Sequence, residues 1–260
     1  MPYNTLKLQI SGDIATITLS RPEKRNAMST EMINDLMGAL AHVEASSTRV
    51  AILTGEGKAF CSGIDLAALK AIAAQSPEEN LEDARRFAWL LRRIWSFPKP
   101  TIAAVNGAAI AGGCGIATLC DFTLAVPEAT FGYPEVRIGF LPANVAVFLM
   151  RQINEKLARD LLLTGRIIDA AEAQRMGLVT EITPAADLML AAETLAAALI
   201  GSSPTSLLKT KKLLCDMAAP EVDRELELAI AESAQIRATA DFREGLASFL
   251  EKRTPKWVSK

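Results

Sequence analysis

The strongest constraint on this chain is a set of short, largely apolar runs separated by segments of helical length. Val50-Ala51-Ile52-Leu53-Thr54 is ended by Gly55 and Gly57, and Thr101-Ile102-Ala103-Ala104-Val105 by Asn106-Gly107. A further strand is predicted over 121–126. Runs of this length with little polar alternation offer no face to water, so they read as strands covered on both sides. Between them, Met32, Ile33, Leu36, Met37 and Leu40 recur at helical spacing after Ser29 or Thr30, either of which can cap a helix. Helices are also predicted near 66–74 and 78–96, the second stopped by Pro98 and Pro100. Strands alternating with helices argue for a layered α/β fold.

Two segments lie outside that alternation. Leu6–Ile10 and Ile14–Leu19 have a period of two, with Ser11-Gly12-Asp13 as a hairpin turn. After residue 184 no convincing strand is found, and 185–200, 204–218, 221–238 and 241–252 read as helices. Pro204 and Pro220 sit near the starts of two of these.

The net charge of −2 gives no reason to expect a nucleic-acid partner. The first twenty residues lack a continuous apolar segment, and no uncharged apolar stretch is long enough to span a bilayer. The four cysteines, Cys61, Cys114, Cys120 and Cys215, show no CxxC spacing, which fits a reducing, cytoplasmic setting without a disulfide framework or zinc site. The only histidine, His42, ends a predicted helix and reads as a surface or packing residue. Triads built on histidine then lack their centre, and proton chemistry falls to carboxylate, Tyr, Lys or Cys.

Three segments can carry such chemistry. Lys58–Leu66 follows the first buried strand, Ala111–Ile116 follows the second, and Phe131–Val136 holds Glu135. Glycines after buried strands let the backbone turn sharply near a ligand, and a helix starting there leaves its first N–H groups unpaired. Two N–H groups from separate loops can hold one oxygen bearing negative charge. A carboxylate close by can move a proton on the adjacent carbon. Ala111–Gly115 does not fit GxGxxG, and there is no P-loop. Taken singly, the glycine pairs read as turns and Glu135 as a surface carboxylate; their order and spacing together favour a site.

Beyond these pieces, the chain resembles the crotonase (enoyl-CoA hydratase/isomerase) family over roughly residues 6–252. The matching residues include Arg21-Pro22 with Asn26-Ala27, Ala59 to Leu66, Lys99 to Gly107, Gly112-Gly113-Cys114, Pro134-Glu135, Gly177-Leu178-Val179, and Phe249 to Arg253. The resemblance implies an α/β spiral of β-β-α units over residues 1–200 and a helical oligomerisation region over 201–260. It implies an acyl-CoA thioester substrate, with coenzyme A as part of that substrate and no separate cofactor or metal. Homotrimers or dimers of trimers are expected, with no membrane or nucleic-acid partner. The backbone N–H groups of Ile64 and Gly112 would hold the thioester oxygen, and Glu135 would be the acid/base. Lys24, Arg25, Ala59 and Lys252 fall where the family meets coenzyme A. Ser62, Gly63, Asp65, Leu66, Gly113, Tyr133, Pro134 and Asn144 would border the substrate, although Asp65 also suits a helix cap and Tyr133 a packed aromatic.

The chain departs from the family's hydratases at one position. A second glutamate expected there is replaced by Gly115, and the aspartate of related isomerases and dehalogenases by Ala143. A single carboxylate at 135 resembles the Δ3,Δ2-enoyl-CoA isomerases. Isomerase or hydratase chemistry is expected, with two alternatives: a CoA-thioester binding protein without catalysis, or another enolate chemistry such as decarboxylation or thioester hydrolysis. An apolar acyl lining is expected from Ala67, Ala68, Leu69, Ile72, Phe87 and Trp89.

Overall fold

A computed structural model describes residues 3–257. Strands β1 (Leu6–Ser11) and β2 (Ile14–Leu19) pair antiparallel, turned at Gly12 with φ +57°. Ala15, Ile17 and Leu19 of β2 are buried between less buried neighbours, as a period of two requires. Helix α1 (Thr30–Ala45) starts at Ser29, whose hydroxyl accepts the Met32 N–H, and it buries Met32, Leu36 and Leu40. The chain continues through β3 (Val50–Gly55), β4 (Ala59–Cys61), α2 (Leu66–Ile72) and α3 (Pro77–Trp95). Then come β5 (Thr101–Val105), β6 (Ala108–Ile110), α4 (Gly112–Thr118), β7 (Phe122–Ala125) and β8 (Thr130–Gly132). After a 3-10 turn at Pro134–Ile138 follow α5 (Ala143–Gln152), α6 (Glu155–Thr164), β9 (Ile167–Asp169), α7 (Ala170–Met176) and β10 (Glu181–Ile182). Three helices close the described chain: α8 (Leu188–Ile200), α9 (Pro204–Ile236) and α10 (Ala240–Glu251).

The strands sort into two sheets, ordered β1-β2-β3-β5-β7-β10 and β4-β6-β8-β9. Each pair β3–β4, β5–β6 and β7–β8 gives its first strand to the larger sheet and its second to the smaller. Repeating this step with an intervening helix winds the chain into the spiral of β-β-α units implied by the resemblance. The corners are tight: a Cβ on Gly107 would lie 2.2 Å from the Lys58 carbonyl oxygen, so only glycine lets these two turns touch. The apolar runs occupy the interior, with Val50 to Leu53 and Ile102 to Val105 fully buried. Each large aliphatic side chain so buried contributes about 1.5–3 kcal/mol.

Helix α8 packs on β3, β5 and β7, while α9 lies across α3 and α5, and α10 rests on the 3-10 turn. No strand follows Ile182 among the described residues. Pro220 departs from expectation, because it lies inside the continuous 33-residue α9 and does not open a new helix. An interior proline costs ~3 kcal/mol in an isolated helix. Here contacts on both sides hold the axis. Lys211 bonds the Lys99 carbonyl and Asp121, while Val222, Leu226 and Ile230 are buried. Among the described residues no single helix is long and apolar enough to cross a membrane.

Candidate active site

The site begins with a loop that looks irregular in sequence and is tightly specified in space. Arg25 and Asn26 both take positive φ, 52° and 55°. Asn26 is fully buried and repays that conformation with its side chain: Oδ1 accepts the Arg21 N–H, and Nδ2 donates to the carbonyls of Glu56 and Ala59. The loop docks on the segment after β4, where Ser62 N–H donates to Arg25 O and Met28 N–H to Gly63 O. Asp65 N–H returns a bond to Met28 O. These bonds bracket Ile64, whose own N–H has no acceptor among the described residues.

Asp65 takes its bland role. Its carboxylate caps α2 by accepting the Ala67 N–H and pairs with Arg21 at 2.7 Å and Lys24 at 3.2 Å. Burial alone would raise its pKa; the bonds from Ala67, Arg21 and Lys24 outweigh that and lower it.

The second loop meets the first directly. Gly63 has φ +90°, and a Cβ there would stand 3.2 Å from both Ala111 Cβ and Ile110 O. Ala111 itself is held at φ 53°, ψ −125°, a region that costs a non-glycine residue on the order of 1–3 kcal/mol. That kink turns β6 into α4, with Gly112 as the first helical residue and its N–H unpaired. Ile64 and Gly112 thus each follow one residue after a point of contact between the loops.

Glu135 lies in the 3-10 turn Pro134–Ile138, only 8% exposed, and its Oε2 has no hydrogen-bond partner among the described residues. Burial pushes its pKa up to about 7, opposed only by a backbone hydrogen bond. Nearby in sequence, Asn144 is also buried. Its Nδ2 donates to the Ala84 carbonyl of α3, which fixes the amide orientation and leaves Oδ1 as an unpaired acceptor. Asn144 therefore ties α5 to α3; it does not cap α5. At Gly115 the space for a second carboxylate is filled. A Cβ there would lie 2.7 Å from Val145 Cγ1 and 3.6 Å from Leu91 Cδ2.

Ile64, Gly112, Glu135, Pro134 and Asn144 line one cavity of about 930 Å³. Lys24, Arg25, Ser62, Gly63, Asp65 and Leu66 line it too. Four predicted residues stand off its wall. Ala59 is buried in β4 with its carbonyl bonded to Asn26, and Gly113 packs against Cys61. Tyr133 is enclosed, its hydroxyl 3.4 Å from Thr118 Oγ1, and burial raises its pKa well above the usual phenol value. Lys252 ends α10 in a left-handed conformation on the surface, while its neighbour Arg253 reaches the cavity. Of the expected apolar lining, Ala67, Ala68, Leu69 and Phe87 are present. Ile72 packs behind the wall with Phe242 and Leu246, and Trp89 is 60% exposed. Cys61 and Cys114 are buried thiols pushed up to about 12 by burial, as packing residues would be. His42 is on the surface.

The sequence reading missed the far wall. Asp83, Ser233, Arg237, Phe140 and Phe249 all face the cavity. They come from α3, α9, α10 and the segment before α5, and no local motif links them.

The chain has relatives among known proteins in both sequence and fold. The sequence profile of the family described as enoyl-CoA hydratase/isomerase matches residues 9–260. A Thermus thermophilus protein, provisionally named an enoyl-CoA hydratase, is 43% identical, covering 95% of this chain and 98% of the relative. The crystal structure of an enoyl-CoA hydratase from Mycobacterium avium is similar with a TM-score of 0.88 at 32% identity, over 98% of this chain and 99% of the other. That of an enoyl-CoA hydratase/isomerase from Xanthobacter autotrophicus Py2 reaches a TM-score of 0.90 at 28% identity, over 99% and 100% of the two chains.

Proposed function

Because the chain belongs to the enoyl-CoA hydratase/isomerase family, we propose that it shifts the double bond of an enoyl-CoA thioester, with Glu135 as the single proton carrier. The observation that carries this reading is the buried carboxylate of Glu135, its Oε2 without a partner, lining the same cavity as Ile64 and Gly112 with their unpaired N–H groups. The thioester oxygen accepts both N–H groups. Glu135 removes a proton from C2, the electron pair moves toward the thioester oxygen, and the dienolate is held by the two donors. The same carboxyl then returns the proton at C4, so no water is consumed. Its pKa near 7 suits a group that must both take and give a proton at neutral pH. The basic rim formed by Lys24 and Arg25 suits the phosphates of coenzyme A.

A second reading, hydration, draws on Asn144. Its Oδ1 and the Glu135 Oε2 are both buried acceptors without donors, a combination that suits a water molecule. The filled space at Gly115 argues against the two-glutamate form of that reaction.

Incubating the purified protein with trans-3- and trans-2-enoyl-CoA separates the two. Isomerisation yields the conjugated thioester from the first, and hydration yields a 3-hydroxyacyl-CoA from the second. Glu135→Gln is expected to lower kcat by ~10²–10⁴ with thioester binding retained. Turnover unaffected by that substitution would remove Glu135 from the chemistry, and binding without any turnover would leave the CoA-thioester binding alternative. Release of free CoA or CO₂ would instead point to hydrolysis or decarboxylation.

A further inference from the structure

The cavity's far wall carries a buried cation that the proposed chemistry does not use. Arg237 ends α9 and is 6% exposed. Its Nη1 alone takes the protein contacts: Asn80 O and Asn80 Oδ1 at 3.2 Å, and Asp83 Oδ2 at 2.9 Å. Nε is buried without an acceptor, and Nη2 has none among the described residues. Nη2 is therefore the guanidinium nitrogen left to meet an anionic group in the cavity, through a charge-assisted hydrogen bond. Phe140, 5.4 Å from the guanidinium carbon, packs against its face. Arg237, Asp83, Phe140 and Ser233 all line the cavity.

Helix α3 links the reacting end of the cavity to Arg237. Phe87 stands at Gly112, where a Cβ would lie 2.6 Å from its Cζ. One turn earlier, Ala84 holds Asn144 and Asp83 holds Arg237. The step from Phe87 to Asp83 spans ~6 Å at ~1.5 Å per residue.

We propose that Arg237 anchors the far end of the acyl group, and that the substrate is an enoyl-CoA whose acyl chain ends in a second carboxylate. This rests on the acyl-CoA reading above. A methyl-ended chain would leave Nη2 of the guanidinium without an acceptor, whereas a carboxylate satisfies it. Asp83 offsets the charge of Arg237, and its side chain, 20% exposed, lies against Nη1 and not Nη2.

Titration calorimetry with adipyl-CoA and hexanoyl-CoA tests the proposal. Adipyl-CoA is expected to bind at least ~10-fold more tightly, because a site built for a polar group discriminates against analogues lacking it. The paired substitution Arg237→Met with Asp83→Asn, which avoids stranding a buried charge, should bring the ratio close to one. Arg237→Lys should retain part of it. A purely structural ion pair would change both affinities alike and leave the ratio intact, which would overturn the proposal. So would hexanoyl-CoA binding as tightly as adipyl-CoA to the unmodified protein, a ratio that needs no variant to fold. If neither thioester binds, the acyl-CoA reading itself fails; if both bind equally, only the role of Arg237 does.

Discussion

At the scale of single residues, Glu135 joins reactivity to a stability cost. The folded protein holds the carboxyl proton up to about pH 7, whereas a glutamate in the unfolded chain loses it near 4.5. Between those limits the unfolded chain binds fewer protons than the folded one, so stability falls as pH rises through the window. The loss reaches up to ~3 kcal/mol above pH 7, at ~1.4 kcal/mol per unit. Glu135→Gln has no such loss. It is expected to melt several degrees above the wild type at pH 8, with the gain gone near pH 4, as followed by circular dichroism. Activity should show the opposite dependence. With Glu135 as the base, kcat/KM rises with pH and levels off above about 7. A flat profile from pH 5 to 9 would exclude Glu135 from that role.

At the scale of elements, the pairing of α4 with α5 decides which side chains fit around the site. All seven residues of α4 are buried, and Val145 on α5 occupies the volume beside Gly115. Gly115→Glu should therefore destabilise the fold through overpacking by ~1–3 kcal/mol, or roughly 2–12 °C in Tm. Combining it with Val145→Ala should recover much of that loss, because the colliding methyls are removed. Melting curves for the two variants check this, and equal losses in both would mean that Val145 is not the obstacle.

At the scale of the whole molecule, the cavity draws on the loops after β4 and β6, the 3-10 turn, α3 and the C-terminal helices, so it exists only when the spiral and the helical region are packed together. The outer face of α9 exposes Leu213, Leu214 and Met217 at 60%, 65% and 76%. That apolar surface suits contact between copies of the chain, in keeping with the trimers or dimers of trimers implied by the resemblance. Light scattering is expected to give a trimer or hexamer, and Leu214→Glu with Met217→Glu to lower the mass. A wild-type monomer at micromolar concentration would defeat that expectation.

The sequence by itself determined strands β1, β2, β3, β5 and β7 of the larger sheet, most of the helices and the acid/base candidate; the two- and three-residue strands β4, β6, β8, β9 and β10 carry too few residues for a pattern and emerged only from the fold. The signals of the former are local: a run of five apolar residues, a capping serine and a glycine after a strand each act within a few residues of chain. It also marked Gly115 as a departure. Packing alone decided what fills that space, since Val145 is 30 positions away. The same holds for Pro220, a helix start by local preference that contacts on either side keep inside one helix. Asp65 read as a cap from its position, and only the fold brought Arg21 and Lys24 to it. Arg237 is the extreme case. Nothing around it in the chain distinguishes it from a surface arginine, because its partners Asn80 and Asp83 lie more than 150 residues earlier. Interactions between side chains that distant depend on how the helices cross, and that crossing is set by the packing of the whole core and not by any local pattern.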